Sequence, residues 1–130
     1  MDAYMFELAR EAMAKAHAPY SGFHVGAVVK GANGSLYAGC NVENAVYPEG
    51  WCAEASAIAA MVMDGEARIA EVMVMGVGED LVTPCGGCRQ RIREFAADET
   101  PIHICSPDKL RRTVTLGELL PLSFGPENLP

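Results

Sequence analysis

The segment of residues 69–78, IAEVMVMGVG, constrains the fold more than any other part of the sequence. It is apolar except for one acidic residue, contains Ile and Val, and is bounded by glycines. Such a run predicts a β-strand that is buried on both faces, and that strand needs covering layers on each side of its sheet. Segments rich in helix formers precede and follow it, at residues 51–65 and 85–97, so we expect an α/β fold.

Shorter β-rich segments and one more helix complete the pattern. Residues 3–16 place apolar side chains at helical spacing and end before a loop that contains Pro19 and Gly22. The remaining strands are predicted at residues 24–30, 35–40, 101–106 and 113–116, with a last helical turn at 116–121. The order α-β-β-α-β-α-β-β predicts a three-layer α/β/α sandwich around a mixed five-stranded sheet.

Length and composition indicate one globular domain. The sequence has 130 residues, half of them hydrophobic, which fits a single core over residues 1–130. The longest apolar runs are far too short to span a bilayer, and the N-terminal segment lacks the basic and continuous apolar regions of a secretory signal. We therefore expect a cytoplasmic protein.

The charge of the chain excludes one broad class of partner. Ten basic residues against 17 acidic ones give a net charge of −7, and the isoelectric point is about 4.8. Proteins that bind nucleic acid rest largely on clustered Lys and Arg, which this sequence has only in small groups. A small-molecule substrate is favoured over nucleic acid or a membrane surface.

The cysteines point to a metal or redox site. There are five, at positions 40, 52, 85, 88 and 105, and an odd count in a cytoplasmic chain does not suggest a disulfide framework. Cys85 and Cys88 form a Cys-Gly-Gly-Cys motif at the predicted start of a helix, where free amides and the helix dipole favour thiolates. By itself this pair fits a thioredoxin-like redox site and half of a zinc site equally well.

Cys52 opens the other central helix and shifts the balance towards zinc. Three thiolates leave the fourth position of a tetrahedral zinc ion open, as in catalytic sites, whereas a structural site needs a fourth protein ligand. Cys40 or Cys105 would complete a structural site, although each fits a small buried hydrophobic residue at a strand end. Glu54, two residues after Cys52, favours catalysis because a positioned carboxylate there can shuttle protons.

Together these motifs resemble a known family. Residues 52–54 (CAE) followed by residues 84–88 (PCGGC) are similar to the signature of zinc-dependent nucleoside and nucleobase deaminases. Cysteine rather than histidine as the first ligand, together with NVENA and PYSGF, resembles the small homotetrameric cytidine deaminases. The likeness runs from residue 14 to residue 124.

The resemblance implies a function for these residues. It implies one Zn²⁺ per chain, held by Cys52, Cys85 and Cys88, and hydrolytic deamination of cytidine and 2′-deoxycytidine to uridine and 2′-deoxyuridine with release of ammonia, a step of pyrimidine salvage. Glu54 is then the acid–base group that transfers protons between the attacking water, N3 of the base and the departing amino group. The family further implies a homotetramer whose sites lie at subunit interfaces.

Seven substrate contacts also follow from the resemblance. They are Asn41 and Glu43 at the ribose, Phe23 and Phe124 against the base, Ala53 next to the first ligand, and Ala45 and Tyr47 in the site of a neighbouring subunit. Without the nearby metal motif, turn chemistry would explain the first two, and core packing would explain the isolated aromatics.

One position departs from the family pattern. An arginine commonly follows the catalytic glutamate in this family and hydrogen-bonds the metal-bound sulfurs, but this chain has Ala55 there. Three thiolates around Zn²⁺ leave a formal charge of −1, so a positive group should offset it. The two helix N-termini and Arg89 are the expected sources. Trp51, before the first ligand, fits either a core position or a subunit contact.

Overall fold

A computed structural model describes residues 2–130. The helices and strands follow in the predicted order: α1 (Ala3–Ala14), β1 (Gly26–Gly31), β2 (Leu36–Cys40), α2 (Ala53–Met63), β3 (Ile69–Met75), α3 (Gly86–Arg93), β4 (Pro101–Cys105), β5 (Leu110–Thr115) and α4 (Leu116–Leu119). Asp2 caps α1 by accepting hydrogen bonds from the amides of Tyr4 and Met5, which satisfies donors that a helix start leaves free.

The strands form one mixed sheet in the order β2-β1-β3-β4-β5. β3 and β4 are parallel and the other neighbouring pairs are antiparallel. β3 is the middle strand, and its residues Val72 to Met75 are fully buried. The apolar segment that constrains the fold is therefore the centre of the sheet, and the predicted three-layer α/β/α architecture is confirmed.

Two hydrophobic clusters lie on opposite faces of the sheet. On one face, Met5 and Ala9 of α1 pack with Met73 and Met75 of β3 and with Cys105 of β4. The larger cluster covers the other face, where α2 and α3 contribute residues such as Ala57 and Ile92. Burial of these apolar surfaces is the main force that holds the layers together.

The first hairpin lies between two helices that approach it very closely. At Gly26 of β1, an added Cβ would lie 2.2 Å from the carbonyl oxygen of Ala9 in α1. At Gly39 of β2, it would lie 2.4 Å from the amide nitrogen of Ala57 in α2. Only glycine fits at either position, and the close contact fixes α2 against the end of β2.

β5 differs from its prediction. The strand begins at Leu110, three residues earlier than the apolar pattern indicates, and it lies at the edge of the sheet. Its early part contains Arg111 and Arg112, which an edge strand can carry on its solvated side. Within residues 2–130 there is no helix that is long and apolar enough to cross a membrane.

Candidate active site

Sheet register brings the two cysteine-bearing helices to one edge. Gly26, at the start of β1, pairs with Cys40 at the end of β2 on one side and with Met75 at the end of β3 on the other. β2 and β3 therefore run in the same direction and end level with each other. The chain reaches α2 after β2 and α3 after β3, so both helices begin at this edge.

Each helix starts on a cysteine. Cys52 is the N-cap of α2 with φ −75° and ψ 154°, and Cys85 is the N-cap of α3 with φ −65° and ψ 166°. Both residues are extended, while Cys88 lies in the first turn of α3 and is fully buried. Backbone amides and the positive ends of both helix dipoles thus face the sulfur atoms.

The three sulfur atoms are arranged for one metal ion. The Sγ atoms of Cys52, Cys85 and Cys88 all lie within 4.8 Å of one another, and Cys52 and Cys85 are 3.9 Å apart. Ligands about 2.3 Å from a tetrahedral zinc ion are separated by about 3.8 Å. The donor set and its spacing therefore fit Zn²⁺ with one coordination position left for a non-protein ligand.

The other two cysteines lie apart from this group. Cys105 is buried with α1 on the opposite face of the sheet, and Cys40 lines a separate cavity beside α1. Among residues 2–130, the cluster of metal-binding side chains consists of the three predicted cysteines. Because neither Cys40 nor Cys105 joins the group, the arrangement disfavours a closed structural zinc site. Because Cys52 lies beside Cys85 and Cys88, a redox pair of two cysteines does not account for the whole group.

Ionisation of the three thiols is unequal. Burial raises the pKa of Cys52 and Cys88, and the nearby negative groups raise that of Cys88 further. Burial also opposes ionisation of Cys85, but hydrogen bonds from the backbone and side chain of Cys88 outweigh it, so the pKa of Cys85 is lowered. A cation is needed to hold three thiolates this close together.

Glu54 is a buried carboxyl group beside the sulfurs. It lies in the first turn of α2 with 4% of its surface exposed. Burial raises the pKa of Glu54, and the positive charge of Arg91 counters part of that rise. A carboxyl group whose pKa is moved upward towards neutrality is suited to accept and return protons.

A cavity of about 210 Å³ opens onto Glu54 and the metal site. Its lining contains six of the predicted site residues: Phe23, Asn41, Cys52, Ala53, Glu54 and Cys85. It also contains four residues that the sequence analysis missed: Val25, Val74, Val82 and Thr83. Position within the chain offers a signal for two of these, because Val82 and Thr83 directly precede the Pro-Cys-Gly-Gly-Cys motif.

Asn41 joins the cavity wall to the preceding loop. Its Oδ1 accepts a hydrogen bond from the amide of Val25 at 2.9 Å, and its Nδ2 donates to the carbonyl oxygen of Phe23 at 2.8 Å. The Asn41 side chain thereby holds Phe23 at the rim, where the aromatic ring is partly exposed. The loop that contains Phe23 and the segment that follows β2 therefore form one continuous wall of the cavity, with both polar and apolar side chains.

Glu43 lies at a second, adjoining part of the surface. Its carboxylate accepts hydrogen bonds from the amides of Tyr20 and Ser21 at 3.0 and 3.1 Å and from the Ser21 hydroxyl. The Ser21 hydroxyl is the main reason that the pKa of Glu43 is lowered. Glu43 and Tyr47 line a cavity of about 340 Å³ that does not contain the metal ligands.

Besides Glu43, three more predicted substrate residues are not brought to the metal cavity by this chain. Tyr47 is 74% exposed and Phe124 is 58% exposed, and Ala45 also lies at the surface. The carbonyl oxygen of Phe124 accepts a hydrogen bond from Gln90 of α3, which holds the C-terminal segment against that helix. These three residues are exposed at the surface of the chain.

The arginine nearest in sequence to Cys88 does not contact the sulfurs. The Arg89 guanidinium donates hydrogen bonds to the carbonyl oxygens of Pro84 and Leu119 and to the Thr83 hydroxyl. Arg89 is therefore held by oxygen atoms, and any contribution of its charge to the sulfurs is not made by direct contact. Arg91 instead donates from Nη1 to Sγ of Cys88 at 3.5 Å.

Trp51 is not a core residue in this chain. Half of its surface is exposed, and its backbone pairs with Val42 in an isolated bridge next to the first ligand. Its ring lines a shallow cavity between α2 and α3. Of the two interpretations of Trp51, exposure favours the subunit contact.

The α/β/α fold and the site of three cysteines beside a buried glutamate are typical of zinc-dependent deaminases, and the comparisons with known proteins agree with that class. The model of the cytidine and deoxycytidylate deaminase zinc-binding region matches residues 1–104. The chain belongs to this family.

Particular relatives are similar along nearly the whole chain. A cytidine deaminase from Sporosarcina psychrophila is 37% identical over 120 residues, which cover 92% of this chain and 88% of the relative. One from Mycobacterium tuberculosis is 38% identical over 122 residues, covering 94% and 88%. The crystal structure of cytidine deaminase from Burkholderia pseudomallei superposes with a TM-score of 0.89 at 35% identity, covering 95% of this chain and 100% of that one.

Proposed function

We propose that this chain is a zinc-dependent cytidine deaminase that hydrolyses cytidine and 2′-deoxycytidine to uridine and 2′-deoxyuridine, as in pyrimidine salvage. One observation carries the proposal: a buried carboxyl group, Glu54, lies beside three sulfur atoms spaced for one zinc ion, at the end of a cavity. A redox pair or a structural zinc site has no use for that carboxyl group.

The proposed metal ligands are Cys52, Cys85 and Cys88, with one Zn²⁺ per chain. When bound, zinc acts as a Lewis acid that makes water nucleophilic near neutral pH. Glu54 lines the same cavity as Cys52 and Cys85, where its carboxylate can accept a proton from the attacking water. The surrounding apolar side chains, such as Val74 and Val82, keep other water away from the reacting atoms.

Glu54 then returns the protons that the reaction needs. Attack on C4 of cytosine breaks the aromatic amidine, and protonation of N3 by Glu54 stabilises the tetrahedral carbon. The proton of the new 4-hydroxyl group then passes through the same carboxylate to the 4-amino group, so that the C4–N bond breaks, ammonia leaves and the C4 carbonyl group of uridine forms. The balance is one cytidine and one water to one uridine and one ammonia, and Glu54 ends as it began.

Substrate positioning is assigned to the walls of the two cavities. Phe23 is proposed to pack on the pyrimidine ring and Ala53 to close the space beside it, since both line the metal cavity. Asn41 and Glu43 are proposed to hold the ribose hydroxyls. Their hydrogen bonds to the loop of residues 20–25 orient the amide and carboxylate before substrate arrives, which lowers the entropic cost of binding.

The outward-facing residues are proposed to act in an assembly. Ala45 and Tyr47 are assigned to the site of a neighbouring subunit, and Phe124 to the base. The aromatic side chains of Tyr47, Trp51 and Phe124 are exposed. Large exposed apolar patches commonly form contacts with other proteins, which supports this assignment. We propose a homotetramer with four sites at its interfaces, and expect sedimentation to give four times the chain mass of 13.9 kDa.

Two further assignments complete the proposal. The protein is assigned to the cytoplasm because a site built from free thiols, Cys52, Cys85 and Cys88, needs a reducing compartment. Residues 1–130 are assigned to one deaminase domain, which the continuous five-stranded sheet supports.

The test is an ultraviolet absorbance assay of cytidine and deoxycytidine with purified protein whose zinc content has been measured. Wild-type protein with about one zinc per chain should convert both nucleosides. Glu54→Ala and the near-isosteric Glu54→Gln should keep zinc and lose activity, by about 10²–10⁴-fold for the proton transfer alone.

Each result distinguishes the alternatives. An active Glu54→Gln variant would exclude the assigned proton transfer. Zinc without turnover of either nucleoside would redirect the assay to modified cytidines, and a reversible Cys85–Cys88 disulfide in zinc-free protein would favour the redox alternative.

A further inference from the structure

The Arg91 side chain reaches the metal site from the second turn of α3. Its Nη1 donates to Sγ of Cys88 at 3.5 Å, and residues three apart lie on one face of a helix. Among residues 2–130 this is the one hydrogen bond of the Arg91 guanidinium, and none of the ion pairs there includes it. The cation therefore contacts a sulfur atom although Arg91 is an exposed residue.

Small residues on both sides leave the space that this contact needs. Ala55 of α2 and Arg91 of α3 line the same cavity of about 310 Å³. At Gly87, an added Cβ would lie 3.2 Å from Nη1 of Arg91, so a methyl group there would already press on the guanidinium. Position 55 faces this space with a methyl group only, and the positive charge comes from α3.

The metal site has a clear need for that charge. Three thiolates with Zn²⁺ carry a formal charge of 2 − 3 = −1, and the carboxylate of Glu54 lies buried beside them. Buried charge is costly unless it is paired. The helix N-termini supply partial positive charges, while Arg89 is held by oxygen atoms. Arg91 is the full positive charge placed directly on a sulfur.

We propose that Arg91 is a positioning residue of the metal site, which orients the Cys88 thiolate for zinc and offsets part of the negative charge of the three sulfurs. This inference rests on the proposed zinc-dependent function. Without the guanidinium, Cys88 loses its hydrogen-bond donor and the anionic cluster loses its nearest cation, and both weaken the hold on zinc. Removing groups that orient metal ligands typically costs about 10–100-fold in metal affinity or activity.

The first experiment measures zinc retention. Zinc-loaded wild type, Arg91→Ala and Arg91→Gln are mixed with a chromogenic chelator, and the rate and extent of zinc transfer are followed. Both variants should release zinc about 10–100-fold more readily. Arg93→Ala is the matched control, because Arg93 lies on the same helix but contacts Ser123 and Glu127, and it should behave as wild type.

A second experiment moves the charge to the other helix. Ala55→Arg in the Arg91→Ala background should restore zinc retention, since position 55 lines the cavity that Arg91 leaves. Ala55→Arg in the wild-type background should give no gain, because the cation is already present and the cavity is shared. If Arg91 acted only by packing on α3, an arginine at position 55 of α2 would not restore zinc retention.

The outcomes separate this inference from the function on which it rests. Wild-type protein that binds no zinc would refute the proposed function and this inference with it. Wild type that binds zinc and deaminates cytidine, with Arg91 variants that retain zinc equally well, would overturn only the role of Arg91. Weak retention without rescue by Ala55→Arg, in variants with a lowered melting temperature, would also overturn it. If Arg91→Ala does not fold, Arg91→Gln and its Ala55→Arg combination decide.

Discussion

The two halves of the candidate site differ in how completely one chain builds them. The metal half consists of the three cysteines and Glu54, which sit at the starts of two helices packed on the sheet. The sugar half, named for the ribose binding proposed for it, is the segment of residues 41–51, which has one short 3₁₀ turn and leaves Tyr47 and Trp51 exposed. The first half is anchored in the packed interior of its own chain, where Cys88 and Glu54 are buried and Cys85 alone is exposed. The second half lies on an open surface.

The difference follows from what holds each half in place. Helix caps and core packing determine the sulfur positions, so the metal half has little freedom. The sugar half depends on a few hydrogen bonds, including Glu43 to His17 through the backbone and the pairing of Val42 with Trp51. The chemistry can thus be complete in one subunit, while substrate selection is left to a surface that the proposed tetramer would cover.

The largest effect should come from removing one ligand in the metal half. In Cys52→Ala the two remaining sulfurs cannot hold zinc as three do, so metal content by atomic emission and deaminase activity should both fall to background. Cys40→Ala is the matched control, because Cys40 lies outside the sulfur cluster, and it should keep zinc and activity. Stoichiometric zinc in Cys52→Ala would mean that the predicted ligand set is wrong.

A smaller effect is expected in the sugar half. Glu43→Gln keeps the shape of the side chain but removes its charge, and hydrogen bonds to charged groups are worth about 1.5–3 kcal/mol, or about 10–150-fold in affinity. KM for cytidine should rise by that order while zinc content stays unchanged and kcat falls much less. Glu49→Gln, at an exposed glutamate in the same segment, serves as the control.

An equal fall in kcat and in kcat/KM for Glu43→Gln would break the division between the two halves. It would place Glu43 in the transition state rather than in ribose binding.

Much of the metal half could be predicted from the sequence, because helix starts are local features. The Cys-Ala-Glu and Cys-Gly-Gly-Cys motifs identify their own helix N-termini, and the strand order brings those ends together. The charge that offsets the thiolates was expected from Arg89, which directly follows Cys88, and not from Arg91. Neighbouring residues on a helix point in different directions, whereas residues three apart share a face, and that spacing is the signal that identifies Arg91.

Other parts depended on tertiary contacts that the sequence does not reveal. Val25 and Val74 line the cavity because the register of β1 and β3 places the ends of these strands beside it. The pattern of apolar residues in the sequence does not determine that register. The early part of β5 was missed because Arg111 and Arg112 interrupt the apolar alternation at a sheet edge. In the sugar half, the resemblance predicts which residues contact the ribose, which stays a prediction, but it does not indicate that Glu43 and the metal ligands line different cavities.

The pH dependence of kcat and KM should distinguish the roles of Glu54 and Glu43, with effects of moderate size. Burial raises the pKa of Glu54 above its ordinary value of 4.5, while the Ser21 hydroxyl lowers that of Glu43. As pH falls, Glu54 should protonate first, so kcat should decline while KM stays constant, and KM should rise only at pH below 4.5.

This measurement needs zinc content at each pH, because protonated thiols release metal. In Glu43→Gln the acid rise of KM should vanish and the decline of kcat should remain. A simultaneous change of kcat and KM at constant zinc would contradict the assignment of the two carboxyl groups to separate tasks.

The smallest effect concerns the outermost residue of the sugar half. Tyr47 contacts Tyr20 edge-on with ring centres 5.9 Å apart and is otherwise exposed, so Tyr47→Ala should leave zinc content unchanged and cost about 0.5–1.5 kcal/mol in subunit stability from the aromatic pair alone. If the residue reaches a neighbouring site, KM should rise in the assembled protein, and dilution below the assembly concentration should abolish the difference from wild type. Tyr4→Ala, at an equally exposed tyrosine on α1, should change neither KM nor assembly. A KM shift that persists in monomers would assign Tyr47 to its own chain's site and would make the sugar half as self-contained as the metal half.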